Sequence, residues 1–177
     1  SIIKTVLPCC GVLANLLNIF IFCDSRLKDV SYKYMMVHSV SNMLYLILII
    51  IANLSPCIDC SKSPSNLTPY MQIIIKYYFT GCLATFSIFI DSFLSFQRFL
   101  IISNIKRFQN FTFKKTVLVL GVCATLLYTP TLFVRTINTT IDNFNNTFYL
   151  ASLNEFGKTP FGKLIPTIIT LTRILFA

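Results

Sequence analysis

Asp91 and Arg98 are the residues of this sequence best equipped for chemistry rather than packing, since both lie inside one long apolar run, Tyr70 to Asn104. A charged side chain at hydrocarbon depth is costly and tends to have a use. The carboxylate of Asp91 can hold a proton, a cation or a base on another helix. Arg98 keeps its charge and presents planar donors that can switch between side-chain and backbone acceptors. Read on its residues alone, Arg98 is either a snorkelling interface arginine or a functional switch. The single histidine, His38, has no Cys, Glu or second His at ligand spacing and reads as a packing or polar-cluster residue. One isolated acid supplies no catalytic dyad, and there is no Gly-rich phosphate loop, so the chain is not read as an enzyme and needs no cofactor or metal.

The elements that must position these residues are membrane helices. Hydrophobic residues make up 55% of the chain, charged residues 12%, and tryptophan is absent. At roughly 20 apolar residues per crossing, this length holds four or five spans and leaves no room for a separate soluble core. The apolar runs predict helices over about 2–23, 34–54, 70–102, 113–136 and 162–177. The fold class is thus an all-α polytopic transmembrane bundle, a single domain over 1–177 with four complete helices and the start of a fifth. Its first helix begins almost at once and its last apolar run has no end, so the expectation is a piece truncated at both ends.

Orientation follows from the bases. Arg26, Lys28 and Lys33 follow the first span, and Arg98, Lys106, Arg107, Lys114 and Lys115 cluster after the third, which places both connections in the cytoplasm. The outer side carries Lys62, Lys76, Arg135, Lys158 and Lys163 among Asp59, Asp142 and Glu155. Glycosylation sequons at Asn66, Asn138 and Asn145 fall in the two loops assigned to the outside. A fourth, at Asn110, falls in the basic cytoplasmic loop and is read as unused. The net charge of +9 is therefore topological. It points to anionic lipid headgroups and a cytoplasmic protein partner, and no basic stripe with interleaved aromatics points to nucleic acid.

Of seven cysteines, only Cys57 and Cys60 lie in a loop. Their C-x-x-C spacing has no second pair to make a zinc site. In an oxidising outer loop they are disulfide candidates, bonded to each other or to another extracellular segment.

Three landmarks in order now carry a resemblance: Ala14-Asn15-Leu16-Leu17 in the first span, Ser39-Val40-Ser41-Asn42-Met43-Leu44 in the second, and Ser95-Phe96-Gln97-Arg98-Phe99-Leu100-Ile101-Ile102 closing the third. With Pro130 near the outer end of the fourth span, the chain resembles the rhodopsin-like (class A) G-protein-coupled receptors, as a divergent, invertebrate-type or chemosensory member covering helices one to five. That family has Gly-Asn, Leu-Ala-x-x-Asp and Ser-x-Asp-Arg-Tyr-x-x-x-Ile at these places. The departures are Gln97 for the acid, Phe99 for the tyrosine, Ile105 for the inner-loop proline and no helix-four tryptophan.

The resemblance implies a multi-pass plasma-membrane receptor that senses an extracellular ligand and couples to a heterotrimeric G protein through Gln97, Arg98, Phe99 and Ile102. Gln97 cannot supply the charge-assisted bond of an acid, which implies a weak resting lock and raised basal signalling. Asn42 stands where the family has its sodium-binding aspartate, and Ser87 where it has the partner serine. Asp91, one turn after Ser87, suggests that the acid has moved helices. Asn15, Asn42, Ser87 and Asp91 are accordingly expected to form one intramembrane polar cluster, with a weak sodium site at Asp91 and Ser87. Thr80 stands where amine receptors carry an aspartate, which favours a peptide or chemosensory ligand. The family's outer disulfide cannot form, because its helix-three cysteine is replaced near Ile73. The competing reading is a transporter or channel fragment with Asp91 in the ion pathway.

Overall fold

The computed structural model describes residues 2–24, 29–54, 71–103, 112–141 and 147–176. Among the described residues four helices are long and apolar enough to cross a membrane, and they make this a multi-pass helical bundle. They are α1 (Ile2–Phe22), α2 (Val30–Leu54), a third span in which a π-helical segment, Gln72–Phe79, runs into α3 (Thr80–Ile102), and α4 (Phe113–Val134). The strands β1 (Arg135–Ile141) and β2 (Thr147–Leu153), the short α5 (Glu155–Lys158) and the apolar α6 (Pro160–Phe176) follow.

α2 begins four residues before the apolar run at Tyr34. The Asp29 carboxylate accepts the Val30 N–H at 2.7 Å and opens the helix among polar residues, so the helix continues beyond its hydrophobic stretch. α4 stops two residues short of Thr136 because the chain there turns into a strand. The hairpin replaces what the sequence suggested was loop. β1 and β2 pair antiparallel from Arg135 opposite Leu153 to Ile141 opposite Thr147, in segments rich in Thr, Ile, Phe and Tyr that favour a pleated backbone. Its base is fastened to α4 by Asn154, whose side chain donates to the Phe133 carbonyl at 2.6 Å and accepts the Gly157 N–H that starts α5.

α3 is the axle of the bundle, with α2, α4 and α6 against it, while α1 packs on α2. Two buried clusters hold it. At the Arg98 end Tyr34, Ile90 and Leu94 meet, and the Tyr34 ring stands edge-on to Phe113 at 4.9 Å and tilted to Phe93 at 5.3 Å. At the hairpin end Cys82, Tyr128 and Ile169 join α3, α4 and α6. Gly81 makes the second cluster possible, since a side chain there would begin inside the Tyr128 ring. Lipid gives no hydrophobic drive between helices, so such close fits, together with Ser41 donating to the Leu83 carbonyl at 3.2 Å, are what bind α2, α3 and α4.

Hydroxyls on the bundle's outside are satisfied within their own helices. Thr125, Thr129, Thr167, Thr170 and Thr172 each donate to a carbonyl one turn back. This back-bonding lets a threonine face hydrocarbon without an orphan donor. Large apolar side chains such as Leu7, Phe20, Leu118, Leu126 and Phe133 are exposed, as suits a surface whose solvent is lipid.

Candidate functional site

α3 carries its two charged residues on one stripe. Asp91, Ser95, Arg98 and Ile102 follow at spacings of four, three and four, which stacks them on a single helical face. All four are exposed, Ile102 at 85%. The flank beside the stripe, with Ser87, Ile90 and Leu94, is buried.

Asp91 is met by His38. Its Oδ2 lies 3.0 Å from His38 Nε2, with the two side chains 58% and 26% exposed. The same Nε2 lies 3.1 Å from Asn42 Nδ2, one turn along α2. One ring nitrogen cannot serve both neighbours in the same way. With Nε2 protonated it donates to the Asp91 carboxylate and the Asn42 amide turns its oxygen inward. With Nε2 bare it accepts from Asn42. The arrangement is a three-residue relay whose proton position sets which helix His38 holds.

Of the four residues expected in one polar cluster, the structure brings Asn42 and Asp91 together through His38. Asn15 does not reach them: its Nδ2 donates to the Gly11 carbonyl of its own helix at 2.8 Å. Ser87 is 5% exposed and its hydroxyl has no partner among the described residues, so it stands apart from the relay. At Asp91 the structure places the His38 imidazole nitrogen, 3.0 Å from Oδ2.

His38, which the sequence left as a packing or polar-cluster residue, is the member that was not placed with Asp91. Two signals could have found it. His38 and Asn42 are one turn apart on a single face, and depth matches: His38 lies eight residues into α2 and Asp91 eleven before the end of α3, about 12 Å and about 16 Å from the same end of antiparallel helices.

At the coupling end Gln97 is partly buried, and Arg98 and Phe99 are exposed. Neither Gln97 nor Arg98 has a hydrogen-bond or ion-pair partner among the described residues. Asn138 is exposed on β1. Asn66, Asn145, Cys57 and Cys60 lie outside the described residues.

At the opposite end a cavity of about 440 Å³ opens between α2, the π-helical segment and α4, with Tyr45, Asn53, Lys76, Tyr77, Thr80 and Tyr128 on its walls. Thr80 Oγ1 donates back to the Lys76 carbonyl, which ties the π-helical turn to α3. Wide turns of this kind recur at functional sites because they re-aim side chains. The Arg135 guanidinium lies over the Tyr77 ring at 3.5 Å.

No protein-family model and no curated protein matches the chain.

Proposed function

We propose that the chain is the helix-one-to-five portion of a rhodopsin-like G-protein-coupled receptor of the plasma membrane, with the Arg98 end in the cytoplasm and the hairpin end outside. The observation that carries the reading is Arg98. It stands at the end of the central helix, exposed and without a partner among the described residues, on the same stripe as Asp91. A guanidinium so placed is available to the C-terminal segment of a G-protein α subunit, whose backbone carbonyls its planar donors suit. Ser95 and Ile102 flank it at the offsets that the resemblance requires. An extracellular ligand would act on the hairpin end of the same helix, about 30 Å away by helical rise.

The test is nucleotide exchange on a Gα subunit in membranes holding the full-length protein. Arg98→Ala should bring agonist-free exchange down to that of empty membranes while surface expression holds. Exchange unchanged in that variant would overturn the coupling role.

The His38–Asp91 pair favours a second reading, a transporter or channel fragment, because an intramembrane acid against a histidine is how proton pathways are built. Proteoliposomes under a pH gradient separate the two. Flux abolished by Asp91→Asn supports transport, and its absence leaves the receptor.

A further inference from the structure

The relay between α2 and α3 is also a set of metal donors. His38 and Asn42 stand one turn apart on α2, the placement in which two side chains of one helix can hold a single ion. Asp91 adds a carboxylate oxygen from α3. Its Oδ2 lies 3.0 Å, and the Asn42 amide end 3.1 Å, from the same His38 Nε2. Zinc bonds of about 2.1 Å meeting at about 90–110° set neighbouring donors about 3.0–3.4 Å apart, so a spacing that serves a shared proton also serves an ion seated beside the three atoms. The Asn42 amide, turned oxygen inward, is then a donor to the ion. Among the described residues no three His, Cys, Asp or Glu side chains gather, and the third ligand here is that amide. Read along one helix, His38 lacked a partner at ligand spacing. α3 supplies it.

We propose that His38, Asn42 and Asp91 bind one borderline divalent metal ion such as Zn²⁺, with Nε2, the amide oxygen and Oδ2 as its ligands. The donor set selects the ion. Imidazole suits Zn²⁺, Cu²⁺ and Ni²⁺, whereas Mg²⁺ and Ca²⁺ take shells of oxygen. Three protein ligands leave a position for water or an incoming group. The Asp91 and His38 side chains are 58% and 26% exposed, which leaves the ion a way in. Binding displaces the Nε2 proton. Without the ion, His38 holds Asp91 or Asn42 according to where its proton lies; with it, both are held at once. The ion thus fastens α2 to α3, and it does so whether the chain is a receptor or a transporter.

The test is calorimetric titration with Zn²⁺ of the untagged full-length protein in nanodiscs of zwitterionic phosphatidylcholine, its thiols first alkylated with N-ethylmaleimide to keep cysteine from binding the ion. Zn²⁺ should bind saturably, and an excess of Mg²⁺ should not compete. His38→Gln and Asp91→Asn should each weaken Zn²⁺ roughly tenfold or more, because each removes a ligand. Asp91→His breaks the ion pair but keeps a donor, and it should stay within about tenfold of the parent. Asn42→His sets a second imidazole one turn from the first and should tighten Zn²⁺ about tenfold or more; this gain serves if the weakened variants do not assemble. The inference is overturned by an absence of saturable binding, by affinity untouched in His38→Gln and Asp91→Asn, by Asp91→His as weak as Asp91→Asn, or by Asn42→His no tighter than the parent. No G protein takes part, so the outcome stands or falls apart from the coupling role of Arg98.

Discussion

The two ends of α3 handle charge in opposite ways. At the hairpin end Lys76 is folded into a cavity wall among phenol rings, and Arg135 is laid on one of them. At the other end Arg98 stands on an exposed stripe with no partner among the described residues. Packing follows the same division. The hairpin end closes around Gly81 and Tyr128, where the helices approach as near as a missing side chain permits. The Arg98 end is spaced by the rings of Tyr34, Phe93 and Phe113. The difference teaches that one helical span can fold a positive charge among rings at one end and leave one exposed at the other.

The largest effect that would break this comparison is at Gly81. Gly81→Ala puts a methyl group into the Tyr128 ring, and overpacking of this kind costs about 1–3 kcal/mol. The gain in helix propensity offsets under about 1 kcal/mol of it. Steric-trapping measurements in bicelles should register the loss, and the double variant with Tyr128→Leu should recover most of it. An unaffected single variant would mean that the helices do not close at this point.

Between the two ends sits the relay. A double-mutant cycle on His38→Leu and Asp91→Leu should give a coupling of about 1 kcal/mol, within the range of intramembrane polar pairs. Purely additive losses would mean that the pair is a coincidence of geometry. The same cycle on Asn15 and Asp91 should be additive, since Asn15 bonds its own helix.

The spans were legible in the sequence because hydrocarbon thickness demands long apolar runs, and residues such as Leu118 and Phe133 show that requirement directly. The hairpin was not legible. Its Thr and Asn residues read as polar loop, and the strand signal lies in their β-branched alternation with Ile, Phe and Tyr. At the site, Asp91 and Arg98 announced themselves by charge in an apolar run. His38 did not, because a neutral imidazole is ordinary packing material until its depth is matched to that of an acid on the neighbouring helix. The cavity was beyond sequence reasoning. It depends on which face the π-helical turns present, and nothing in Gln72–Phe79 marks that segment as other than an apolar helix.

The central claim is that Arg98 couples α3 to a G protein and is held weakly at rest because its neighbour is Gln97. Agonist-free nucleotide exchange on Gα, compared between the full-length protein and its Gln97→Asp variant at matched expression, tests it most directly. A carboxylate beside Arg98 supplies the charge-assisted bond that glutamine lacks, so exchange should start well above that of empty membranes and fall in the variant. Exchange that is equal in the two would contradict the account.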